Sequence, residues 1–187
     1  MRKKKFIIYF NAPITLSFVG ICILALVLDY VTYGRSTDLV FSTYASSWLN
    51  PLTYVRLVCH VFGHANISHF ISNMMYILLL GPMLEEKYHD NLITVIVVTA
   101  VITGVVHNLL QPNIQLLGAS GVCFAFILLA SITGKSNGVP ITLILVALLW
   151  IGNEVYNGIF LQDSISQLAH IVGGISGALL GMMFKDR

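Results

Sequence analysis

Four residues from three distant stretches of this chain carry the groups that acyl transfer needs: Ser120, His170, His69 and Asn73. Ser120 stands in Gly118-Ala119-Ser120-Gly121. A serine hydroxyl is a weak nucleophile until a neighbouring base takes its proton. His170 is a candidate base. His69 and Asn73 are four residues apart in His69-Phe70-Ile71-Ser72-Asn73 and so share one helix face. Both can donate hydrogen bonds, the property that stabilises an oxyanion, and the Ser120 N–H near a helix N-terminus adds another donor. Each residue also has an ordinary reading. Small residues let membrane helices pack closely, a histidine can be satisfied by a helix carbonyl, Asn73 can join helices, and His69 can reach the membrane interface. Choosing between these readings requires the elements that position the four.

The composition says what those elements are. Of 187 residues, 57% are apolar and 10% charged, and the mean hydropathy is +0.85. A soluble domain carries about 25% charged residues, so this surface faces lipid. A net charge of +2 does not suggest a nucleic-acid partner. Cys22, Cys59 and Cys123 lie in or beside apolar runs and form neither a disulfide framework nor a metal motif. They read as small packing residues.

Uncharged runs divide the chain. A helix crosses the hydrocarbon core with about 20 apolar residues, which predicts spans near 8–30, 67–86, 91–109, 118–134, 139–158 and 165–184. The first run is too long for a signal-peptide core and is expected to be retained as a helix. The break Gln111-Pro112-Asn113 separates the third span from the fourth. The period-two alternation of a barrel is absent, so the fold class is all-α, a polytopic bundle of six transmembrane helices in a single domain. With six spans, Arg2, Lys3, Lys4, Lys5, Lys87, Lys135, Lys185 and Arg187 share one side, and only Arg35 and Arg56 fall on the other. Basic residues stay inside, so the termini are expected in the cytoplasm of a multi-pass cell-membrane protein.

That orientation made no use of the four polar residues, yet it gathers them. Ser120, His170, His69 and Asn73 all fall near the outer ends of their spans, at similar depth. An intramembrane histidine is costly unless paired or solvated, which makes His170 a functional candidate. On its helix Gly173, Gly174, Gly177 and Gly181 share a face with His170, and the fourth span offers Gly121, Ala125 and Ala130 in return. Phe124, one turn below Ser120, can stack beneath the imidazole.

The long connection at about 31–66 holds Phe41, Tyr44, Trp48, Leu49 and Tyr54 with few charges. It reads as interfacial helices at the outer surface. The fifth span has Trp150, Asn153, Glu154 and Asn157 near its outer end and is a candidate moving wall.

At these residues the chain resembles the rhomboid family of intramembrane serine proteases. The resemblance runs from Arg56 through the sixth span: Arg56-Leu57-Val58-Cys59-His60 with His64, then His69 to Asn73, then Gly81-Pro82-Met83-Leu84-Glu85. Gly118-Ala119-Ser120-Gly121 is similar to the family's GxSG motif, and Ala169-His170 with Gly173, Gly174 and Gly177 to its base-carrying helix. The resemblance implies a rhomboid-like six-helix bundle with a Ser120–His170 dyad and no required aspartate. It also implies His69 and Asn73 as oxyanion donors, with Gly118, Gly121 and Phe124 in support. It implies no cofactor and no metal. The substrates implied are single-span or polytopic membrane proteins in the lipid bilayer, cut near the outer face. The family's Trp-Arg pair appears here as Val55-Arg56, so only the arginine carries over.

Three other readings stay open. A non-catalytic scaffold on the same fold would have lost the serine or the histidine, and both are present. An intramembrane metalloprotease could use His60 and His64, but the glutamate of HExxH is replaced by Val61. A channel or transporter fits the composition but has no mid-membrane charge to mark an ion path.

Overall fold

Long apolar runs whose backbone must satisfy itself form helices, and most of the described residues of the computed structural model are helical. It describes residues 9–132, 141–160 and 164–184; of residues 150, 151, 153–160, 164–166, 168 and 169 only the backbone is described. The helices are α1 (Pro13–Val31), α2 (Pro51–Cys59), α3 (Ile67–Tyr88), α4 (Asn91–Leu110), α5 (Ser120–Ser131), α6 (Ile141–Phe160) and α7 (Ser164–Met183). Among the described residues there is no strand, only an isolated bridge between Thr43 and Leu116.

By length and composition α1, α3 and α4 can each cross a membrane, while Ser120–Ser131 and His170–Met183 are shorter apolar stretches. The expected first span begins later, because Pro13 takes the first helical position, where its missing N–H costs nothing. Within the expected span 118–134, α5 starts only at Ser120 because Gly118 adopts a φ of +124°, outside any helix, and residues 133 and 134 lie outside the described residues. Lys135 and Asp163 lie outside the described residues, as do the side chains of Trp150, Asn153, Glu154 and Asn157.

Helix ends explain several polar residues. The Ile14 and Thr15 N–H groups at the start of α1 donate to the two Glu85 carboxylate oxygens at 2.8 and 2.9 Å, and the Thr15 hydroxyl adds a third bond at 2.8 Å. A carboxylate at the positive end of a helix is favourable twice over, as acceptor and as charge. Glu85 belongs to α3, so this contact locks α1 onto α3. Asn66 caps α3 by accepting from the His69 N–H at 2.8 Å, and Asn50 caps α2 by accepting from Leu52 at 3.0 Å.

The connection between α1 and α3 holds a π-helical turn at Thr37–Phe41, then α2, then a 3-10 turn at His60–Phe62. Arg56 holds it together. Its side chain is buried, donates from Nε to the Leu39 carbonyl at 3.0 Å, and sits 4.5 Å above the centre of the Tyr44 ring. Val55, in the place of the expected tryptophan, is exposed and contributes nothing of this kind.

α5 is apolar on every side because it is surrounded: it packs against α3, α4, α6 and α7. Val122, Phe126 and Leu129 of α5 meet Met74 and Ile77 of α3 and Val95 of α4 in one core. Leu24, Val27, Leu79 and Leu148 instead point outward, the apolar surface that a lipid-facing bundle shows.

Candidate active site

Ser120 is the first residue of α5, and the turn before it is fixed from outside the helix. The Gly118 N–H donates to the His60 carbonyl at 2.9 Å. Upstream, Thr43 and Leu116 exchange backbone bonds at 2.8 and 2.9 Å, and Asn108 Nδ2 donates to the Thr43 hydroxyl at 2.9 Å. His107 Nε2 donates to the Ile114 carbonyl at 2.9 Å. The segment 111–119 is thus stitched to the α1–α3 connection on one side and to α4 on the other. The Ala119 methyl cannot cap α5, so the first N–H groups of that helix, which have no intrahelical acceptors, receive no side-chain cap either.

His69 and Asn73 face the same turn. A Cβ on Gly118 would lie 2.6 Å from His69 Cε1, 2.9 Å from His69 Nε2 and 3.7 Å from Asn73 Nδ2. Only glycine fits here, both for its φ and for the imidazole lying over it. Asn73 is 5% exposed, and its Nδ2 has no hydrogen-bond partner among the described residues. His64 steadies His69 from behind, with ring centres 5.2 Å apart, and donates from Nδ1 to the Phe62 carbonyl at 3.1 Å.

α7 brings the second histidine. The Phe124 and His170 rings are 4.6 Å apart between centres, tilted by 43°. Side chains on a helix lean toward its N-terminus, so the Phe124 ring on α5 leans back toward the level of Ser120 and carries His170 with it. Gly173 packs directly on Gly121, Gly177 on Ala125 and Gly181 on Leu129. The two helices thus run side by side with matched steps of four. α5 packs against both α3 and α7, so one helix links the His69–Asn73 face to His170.

Residues 51–187 match the family described as the Rhomboid domain. The chain belongs to the rhomboid family. This rhomboid is similar to the rhomboid-related protein 1 of Caenorhabditis elegans, at 29% identity over 67% of the chain and 38% of that protein. It is also similar to the rhomboid protease GlpG of Yersinia pestis (strain Pestoides F), at 27% identity over 90% of the chain and 61% of the relative. The GlpG of Yersinia pseudotuberculosis serotype O:3 (strain YPIII) matches to the same extent. The chain therefore spans less than two thirds of the length of these relatives.

Two groups of residues beside the site were not apparent from the sequence. Thr99 and Thr103 of α4, with His60, Gly118, Ser120 and Gly121, line a narrow gap behind the serine. Both threonine hydroxyls and His60 Nδ1 lack partners among the described residues. The signal was there, since Thr99, Thr103 and His107 follow one another at steps of four and mark a polar face of α4. The second is Cys123, whose thiol touches Asn73. Of the two histidines of the metalloprotease reading, His60 donates from Nε2 to the Ala100 carbonyl at 3.1 Å and His64 from Nδ1 to the Phe62 carbonyl, and the other nitrogen of each has no partner among the described residues.

Proposed function

We propose that this rhomboid is an intramembrane serine endopeptidase whose nucleophile is Ser120 and whose base is His170. The observation that carries the reading is the seat of His170 on the Phe124 ring, one turn along α5 from Ser120, with Gly173 against Gly121 behind it. His170 takes the Oγ proton as Ser120 attacks a peptide carbonyl carbon. The negative charge that forms on the carbonyl oxygen is met by His69, by Asn73 Nδ2 and by the free N–H groups at the start of α5. His170 then gives its proton to the departing amine, and water enters by the same base to release the acyl-enzyme.

The substrates are membrane proteins, single-span or polytopic, cut near the outer face. Depth supports this. The 12 residues of α5 make a helix about 18 Å long, in a hydrocarbon layer of about 30 Å. Its first residue therefore lies below the membrane surface when α5 is centred. A peptide bond inside a substrate helix is shielded by its own hydrogen bonds, so substrates with helix-weakening residues near the cut are favoured. Six crossings with cytoplasmic termini place the open side of the site outside.

Purified protein is to be incubated with a single-span substrate in liposomes, beside its Ser120→Ala variant. Cleavage is expected from the first alone. Equal cleavage by both overturns the assignment.

A further inference from the structure

We propose that Cys123 is a positioning residue that sets the orientation of the Asn73 amide, an inference that rests on the oxyanion role given to Asn73 above. Cys123 lies one helical turn after Ser120 on α5 and is 3% exposed. Its Sγ is 3.5 Å from the Asn73 main-chain oxygen and 3.7 Å from Asn73 Oδ1. One S–H hydrogen therefore lies between two oxygens of the same residue.

The two ends of an asparagine amide are alike in shape and opposite in hydrogen bonding, so the partners decide which way it faces. A thiol is a weak donor, but here it is the donor that meets Oδ1. Drawing Oδ1 to the sulfur turns Nδ2 the other way, toward the turn at Gly118, where a Cβ would be 3.7 Å from it. Nδ2 is buried there without a partner among the described residues. A buried donor left unmade is unfavourable, and the oxyanion that forms beside Ser120 is the partner it awaits. The reversed amide would present lone pairs to that developing charge and repel it. Because the thiol belongs to the helix that carries the nucleophile, donor and nucleophile are held in one frame although they sit on α3 and α5.

Turnover, KM and unfolding midpoint are to be measured with the single-span substrate for the parent protein, Cys123→Ala, Cys123→Ser, Asn73→Ala and the Asn73→Ala/Cys123→Ala pair. Cys123→Ala is expected to lower kcat about 3- to 10-fold, the range for one modest hydrogen bond, with KM unchanged. Cys123→Ser keeps a donor and should recover most of the rate. In the Asn73→Ala background the Cys123→Ala change should have no further effect on kcat, because the residue it acts through is gone. A role in packing alone predicts the opposite pattern: kcat falling in step with the unfolding midpoint, no recovery by serine, and an undiminished effect in the Asn73→Ala background. That pattern overturns the proposal. Full turnover by Asn73→Ala removes the oxyanion role, and the proposal with it. A slow Asn73→Ala beside a fully active Cys123→Ala removes the positioning role alone.

Discussion

The backbones of Gly173 and Gly121 touch: a Cβ added to Gly173 would lie 2.6 Å from the Gly121 Cα and 2.5 Å from its carbonyl oxygen. Those atoms belong to main chain and cannot swing aside. The residue that closes the motif around Ser120 is thus pressed against the turn that follows His170, and the distance between the two helices sets the distance between the two side chains.

Gly173→Ala should therefore push α7 away from α5 and cost about 1–3 kcal/mol of stability, the usual range for overpacking. Cleavage should fall further than the folded fraction does. Gly20 is the control. Nothing lies within 4 Å of a Cβ there, so Gly20→Ala should leave activity alone and raise stability by about 0.5–1 kcal/mol. Unfolding midpoints and turnover measured on the same preparations give both comparisons.

His170→Ala and Ser120→Ala should each remove cleavage, and the double variant should be little worse than either, because members of one catalytic unit fail together. Multiplying effects in the double variant would mean that the two side chains act separately.

Acid should loosen the protein. Burial holds His60 down to about 4, and burial with the neighbouring His69 charge holds His64 down to about 4. Unfolded, both bind protons near 6.5. Between these values the unfolded chain carries more protons than the folded one, so stability falls as pH drops from about 6.5 to about 4 and is level above that window. His60→Gln and His64→Gln should each flatten the slope of unfolding midpoint against pH in detergent. A slope unchanged in both variants would place the acid sensitivity elsewhere.

Labelling of single cysteines on a cysteine-free background tests the six crossings. Position 40 should react with an impermeant reagent from outside and position 136 only from inside. Reaction of position 136 from outside would separate Ser120 from His170 in depth and end the dyad reading.

Much of this was legible in the sequence because membrane burial makes polarity informative. Ser120, His170, His69 and Asn73 stand out in apolar runs, and the glycine stripe of α7 has a period that points to a close neighbour. Other relationships depend on register and on distant partners. That Gly181 lies against the large Leu129 could not be read from residue type, because the relative height of two helices is set by their whole contact. Glu85 read as the end of a helix, yet its partners are the first amides of another helix. The anchoring of the outer connection looked weakened by Val55, but Arg56 reaches Leu39 and Tyr44 without a tryptophan.

The Glu85 contact also says something about biosynthesis. α1 leaves the ribosome first, with its leading amides unclaimed, and the carboxylate that takes them follows 70 residues later. Until α3 is in place, those amides are left to water at the membrane surface. The lock between the two helices therefore closes only after α3 is made, and a chain cut short before Glu85 would leave the leading amides of α1 without their carboxylate.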